Sequence, residues 1–120
     1  MATLTPTLTL TSTNALSDSL DVTFTDSLTV VDPCEIAKVT VPEDSDTTLI
    51  AAGGSVAHYV YIKNHDTVNF VRVEDGGGTN IFARVHPGEF CFFAEAVGEG
   101  VIIVADTADC IVEYGVFTKG

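Results

Sequence analysis

The chain of 120 residues predicts an all-β fold. The expected form is a single jelly-roll-like β-sandwich of about 8–10 short strands with an extended N-terminal arm or edge strand. Three observations predict it. Apolar and polar residues alternate with period two through much of the first third, as in a strand with one buried face. Turn residues recur at intervals of roughly ten residues, the rhythm of a sandwich or barrel. No window of helical length carries an apolar stripe at the roughly 3.6-residue period that is free of Gly or Pro. The length suits one core, and a hydrophobic fraction of 46% is ample to offset the entropy of ordering the chain.

Thr alternates with Leu or Pro from Thr3 to Thr11, and Pro6 and Asn14 interrupt the pattern. A proline has no N–H to give to a central ladder, so residues 1–16 read as an arm, an edge strand or a strand added to another subunit, and residues 17–120 as the sandwich. From Leu20 to Val30, Leu20, Val22, Phe24, Leu28 and Val30 share one parity, and Asp26 breaks it. Asp18-Ser19-Leu20-Asp21-Val22 is echoed by Asp26-Ser27-Leu28-Thr29-Val30, which predicts a hairpin of two similar strands turning near Thr25-Asp26-Ser27. After Asp32-Pro33, strands are expected over Ile36–Val41 and Thr47–Ala51, separated by the acidic turn Pro42–Asp46 and closed by Gly53-Gly54. Further strands are expected over Ala57–Lys63, Val68–Val73, Ile81–Val85, Glu89–Phe93, Val101–Ala105 and Cys110–Thr118. The segments between them, such as Asp75-Gly76-Gly77-Gly78 and His86-Pro87-Gly88, hold residues that tolerate positive φ or pre-set a turn.

Against 17 Asp and Glu stand 5 Lys and Arg, a formal net charge of -12. Lys38, Lys63, Arg72, Arg84 and Lys119 are isolated from one another in sequence, so no phosphate-binding patch is expected and nucleic acid is not a partner. An anionic membrane surface would repel the same charge. Neither a basic, continuously apolar signal segment nor a stretch long enough to span a bilayer as a helix is expected. Cys34, Cys91 and Cys110 cannot all pair within one chain, and reduced thiols are expected, with Cys91 a small core residue inside Phe90-Cys91-Phe92-Phe93.

No constellation predicts catalysis or a cofactor. His58, His65 and His86 lie in no nucleophile motif and are expected to be structural. Glu43-Asp44-Ser45-Asp46 concentrates carboxylates, but an EF-hand loop needs Gly at its sixth and Glu at its twelfth position, so a solvated turn is expected instead of a calcium site. Gly76-Gly77-Gly78 lacks the Lys and helix of a phosphate loop and reads as a hairpin loop. Glu95 and Glu99 are a remote candidate for acid and base work.

The segments Tyr59-Val60-Tyr61-Ile62-Lys63-Asn64, Ile81–Phe90 with its Pro87-Gly88-Glu89 turn, and Val112-Glu113-Tyr114-Gly115-Val116-Phe117 resemble small structural proteins of tailed bacteriophages. That resemblance implies a virion component assembled in the host cytoplasm. It implies in particular a capsid decoration or cement protein, or less directly a tail or fibre component. The implied partners are the major capsid protein or other virion proteins, with homo-oligomer contacts and a cyclic trimer as the expected form.

Leu4, Leu8 and Leu10 have too few local partners to form the core of a short arm and are the candidate contacts to a neighbour. Tyr59 and Tyr61 share a strand parity with Lys63 and are the candidates if the domain instead stacks on glycans as a host-attachment module. A cupin-like metal enzyme is the third class, and three dispersed histidines do not supply its ligand set.

Overall fold

The computed structural model describes residues 1–120 and is all-β, with eleven strands and no helix. In chain order they are β1 (Ala2–Leu4), β2 (Thr7–Ser12), β3 (Leu20–Thr25), β4 (Leu28–Val41), β5 (Thr47–Ile50), β6 (His58–Asn64), β7 (Val71–Glu74), β8 (Ile81–Val85), β9 (Phe90–Ala94), β10 (Val101–Ala105) and β11 (Cys110–Lys119).

One sheet has the order β1-β4-β11-β6-β9 and the other β5-β10-β7-β8. All of their ladders are antiparallel. The pairs β4/β11, β5/β10, β6/β9 and β7/β8 nest inside one another, so the chain from Leu28 to Lys119 is one long hairpin folded across itself. Its innermost loop is the Gly76-Gly77-Gly78 segment between β7 and β8, where Gly78 takes φ 68° and donates its N–H to the Asp75 carbonyl at 2.9 Å. That is the backbone only a glycine adopts without strain.

Period-two alternation sends Val41, Val60, Ile62, Val112 and Cys110 inward from the first sheet to meet Ile50, Val71, Val73, Val85, Val101 and Ile103 of the second, in a single core. Strand β10 is buried along its whole length, which explains its unbroken apolar run Val101-Ile102-Ile103-Val104-Ala105. Each fully buried Val or Ile contributes about 1.5–3 kcal/mol relative to exposure. Cys91 packs against the core, and burial pushes its thiol up to about 11. All three cysteines are unpaired, with Cys110 buried and Cys34 exposed.

The hairpin expected within Leu20–Val30 does not form. Residues 2–12 instead run antiparallel to residues 20–30 in one register, with Ala2 opposite Val30, Leu8 opposite Phe24 and Ser12 opposite Leu20. Asp26, which broke the alternation, lies opposite Pro6 and donates its N–H to the Pro6 carbonyl at 3.2 Å. Because Pro6 has no N–H to return, the ladder lapses there and the chain continues without turning. The reversal is at residues 13–19, where Ser12 Oγ accepts the N–H groups of Asn14 at 3.3 Å and Ala15 at 3.0 Å. Strand β4 likewise runs through Asp32-Pro33, where a strand end was expected. Thr118 faces Val31 while Phe117 faces Cys34, so Asp32 and Pro33 are bulged out of the ladder and Thr118 Oγ1 donates to the Pro33 carbonyl at 2.7 Å.

Asn64 is fully buried at the end of β6 and ties three segments together. Its Nδ2 donates to the carbonyls of Asn69 at 2.8 Å and Val85 at 2.9 Å, and its Oδ1 accepts the Asp66 N–H at 2.8 Å. Truncation would orphan those buried groups. Asn64→Ala is expected to lower unfolding free energy by about 2–3 kcal/mol in denaturant titration.

Carboxylates organise the turns in the same way. Asp66, Asp75 and Glu89 accept backbone N–H groups, chiefly from Asn69, Thr79 and His86 respectively, and each pKa is lowered from the ordinary carboxylate value. A group with a depressed folded pKa stabilises the fold above its unfolded pKa, and that contribution is lost as pH falls through the folded value. Carboxyl titration by NMR is expected to place these three midpoints below those of the unfolded chain, and Asp75→Asn to flatten the acid limb of the stability curve.

Candidate functional site

Strands β2 and β3 pair only with each other and extend the fold as a two-stranded ribbon. Its projection accounts for a radius of gyration of 15.5 Å, above the roughly 13.6 Å expected of a compact chain of this length. One face of the ribbon carries Thr7, Thr9 and Thr11 opposite Thr25, Thr23 and Asp21; the other carries Leu8 and Leu10 opposite Phe24 and Val22. On the apolar face Leu10 is 46% exposed, Val22 40% and Phe24 52%. An isolated two-stranded ribbon is marginal in water, and this one leaves Leu10, Val22 and Phe24 of its apolar side exposed.

A second apolar surface lies on the outer face of the β1-β4-β11-β6-β9 sheet. Cross-strand partners share a face, so Tyr61 stands beside Phe92 and Gly115, Tyr59 beside Ala94 and Phe117, and Lys63 beside Phe90 and Glu113. Ile36 and Lys38 of β4 complete the row opposite Gly115 and Glu113. A Cβ on Gly115 would come within 2.8 Å of the Phe117 ring, so the missing side chain makes room for that ring to lie across the strand. The rings of Tyr59 and Phe92 are near-parallel at 6.1 Å, and Lys119 Nζ sits 4.7 Å from the Tyr59 ring centroid. Tyr61 donates its hydroxyl to Glu113 Oε1 at 3.0 Å; burial, and then that carboxylate, raise its pKa. Phe90 and Phe92 remain 58% and 41% exposed.

The two surfaces meet. A cleft of about 520 Å³ opens between Pro6, Leu8, Phe24 and Leu28 of the ribbon side and Phe90 and Phe92 of β9. Of the five residues expected to make contacts, Leu8 lines this cleft, Leu10 lies exposed further along the ribbon, and Tyr59 and Tyr61 are half-buried on the sheet face. Leu4 is separate: it is half-buried in β1 beside Leu28 and lines a different cleft with Val30 and Phe117. Sequence reasoning missed Val22, Phe24, Phe90, Phe92 and Ile36. Their alternation was visible, but the partner strands that set which face they join were not.

Each histidine lies against a different carboxylate. His58 Nδ1 lies 2.7 Å from Glu95 Oε2, His65 Nε2 3.7 Å from Glu113, and His86 Nδ1 3.1 Å from Glu89. No histidine hydrogen-bonds a Ser, Thr or Cys. Glu95 is buried against His58 and accepts the Gly100 N–H at 3.3 Å, whereas Glu99 is exposed; both line one cleft with Asp75, Asn80, Phe82 and Phe93. In the acidic turn Glu43 bridges to Ala105 and gives its N–H to Asp109 Oδ1, and no group of three His, Cys, Asp or Glu is placed to hold a metal ion. No family model matches the chain, and no curated protein or solved structure matches it significantly.

Exposed ribbon and buried core should respond differently to truncation. In dilute solution Phe24→Ser is expected to change unfolding free energy by less than about 0.5 kcal/mol. Ile62→Ala, at a fully buried site, is expected to cost about 2–5 kcal/mol in the same denaturation assay.

Proposed function

We propose that the chain is a non-enzymatic structural protein of a tailed-phage particle, a capsid decoration or cement protein that stabilises the head through subunit contacts. The observation that carries this is the pair of exposed apolar surfaces, ribbon and aromatic sheet face, joined by one cleft on a domain that already has its own buried core. A chain acting alone gains nothing from such surface, whereas a subunit desolvates it against its neighbours.

The strand order supports a jelly-roll-like sandwich as the framework. Counting β4 to β11 as eight strands, one sheet runs first-eighth-third-sixth and the other second-seventh-fourth-fifth. Nested hairpins rolled into two sheets give this order, which viral capsid domains, lectins and cupins share. Fold alone does not choose among those classes. A lectin-like platform stacks a sugar on an aromatic ring, and the Tyr59 ring has Phe92 stacked on it at 6.1 Å and Lys119 Nζ 4.7 Å from its centroid, while Phe90 and Phe92 stay exposed on the same face. A cupin-like site needs convergent ligands, and the three histidines are paired with three different carboxylates. The likeness of the Tyr59–Asn64, Ile81–Phe90 and Val112–Phe117 segments to phage structural proteins favours the particle, with the major capsid protein or other virion proteins as partners.

The test is incorporation. Mass spectrometry of gradient-purified particles made by the genome that encodes the chain is expected to find it in many copies. A chain lacking residues 1–27 should fold but be lost from those particles; absence of the full chain from particles, or undiminished incorporation of the truncated one, contradicts the proposal.

A further inference from the structure

The ribbon and the sheet face differ in charge as well as in place. The ribbon and its turn, residues 2–28, carry Asp18, Asp21 and Asp26 and no Lys or Arg. Three of the five cations of this chain of net charge -12 stand on or beside the aromatic face: Lys38 and Lys63 on either side of Glu113, and Lys119 over the Tyr59 ring. Glu113 is itself engaged by the Tyr61 hydroxyl and lies 3.7 Å from His65. The remaining two cations are elsewhere, Arg72 bound to Glu74 and Asp106 on the other sheet, and Arg84 over the Phe70 ring.

We infer that the occupant of the aromatic face is the ribbon of a second copy of this chain, docked head to tail. Ribbon against ribbon would set Asp beside Asp, and face against face would set Lys beside Lys. Only ribbon on face brings the acids at the two ends of the ribbon, Asp18 and Asp26, to lysines at the rim of an apolar contact, the arrangement that fixes register and rejects wrong pairings, while Asp21 lies on the ribbon's other, Thr-bearing face. The free part of the ribbon, six residues in each of β2 and β3, is about 20 Å long. Leu10, Val22 and Phe24 supply the apolar ridge, and Ile36, Phe90 and Phe92 flank Tyr61 on the receiving side.

A head-to-tail contact uses two different patches, so each chain donates one ribbon and receives one. Such contacts close into a ring or continue as a filament, depending on the rotation between neighbours. The inference deepens the proposed structural role by naming a partner for the same surfaces. It is decided on purified chains, whereas incorporation is decided on particles, so either can fail while the other stands.

The experiment mixes two variants that each lack one half of the contact. Phe24→Asp, with Leu10→Asp as a second ribbon variant, places an acid on the apolar ridge; Phe92→Asp, with Ile36→Asp as its second, places one on the receiving face. All four positions are at least 40% exposed, and thermal melts select the variants that retain the wild-type fold. In sedimentation across a concentration series the wild type is expected to associate and each variant to remain a monomer of 12.6 kDa. An equimolar mixture of one ribbon variant and one face variant should then double in mass and stop, since one intact ribbon meets one intact face. A monomeric wild type, a folded variant that associates like the wild type, a mixture that stays monomeric, or, where the wild type is larger than a dimer, a mixture that regains its full size overturns the inference.

Discussion

The β4–β11 ladder is the constraint on which the rest of the molecule depends. It runs from Val41 opposite Cys110 to Val30 opposite Lys119, interrupted only by the bulge at Asp32-Pro33. β4 is shared by two structures, since its residues Leu28–Val30 pair with β1 while Cys34–Val41 lie in the body. β11 carries β6 on its other side, and β6 carries β9. One continuous ladder therefore sets both the direction in which the ribbon leaves the body and the lateral order of the side chains on the aromatic face. The bulge lets this strand serve both ends: a proline that cannot donate to the ladder is set outside it, and pairing resumes beyond.

That arrangement divides the apolar residues into two populations with different physical roles. Val41, Val60, Ile62, Val101, Ile103 and Val112 are dry, and their burial opposes the chain entropy. Phe24, Phe90, Phe92 and Ile36 have strand positions as regular as these but stay 41–65% exposed, the first three around the cleft between ribbon and β9. The difference comes from topology: rolling the long hairpin gives the first sheet a partner on its inner side only, and the ribbon has none. Water contact at those aromatic groups is a standing cost that the proposed association would remove, which is why the charges around them matter. In the proposed contact the acids of the ribbon and the lysines of the face set orientation, and the apolar area supplies the affinity.

Much of the fold was legible because it follows from local rules. Period two and turn chemistry located β5 through β11 to within a few residues, and Pro87-Gly88 and Gly76-Gly77-Gly78 mark turns whose glycines take positive φ at Gly88 and Gly78. The failures share a cause. Asp26 was legible as a break but not as the residue opposite Pro6, because a break looks the same whether the chain turns or merely faces a residue that cannot bond. Asp32-Pro33 reads as an end, since the bulge that absorbs it is defined by Phe117 and Thr118, more than eighty residues away. Tyr59, Tyr61 and Lys63 could be grouped by parity within one strand, whereas their neighbours Phe90, Phe92, Glu113 and Phe117 could not, because register between distant strands leaves no local mark.

The central claim is that ribbon and aromatic face are the two halves of one contact. Hydroxyl-radical footprinting of the assembled protein against the same chain at dispersing dilution reads both halves in a single measurement. The account predicts that Leu10, Val22 and Phe24 of the ribbon and Tyr61, Phe90 and Phe92 of the face lose reactivity together. Protection of one surface without the other, or of neither, would contradict it.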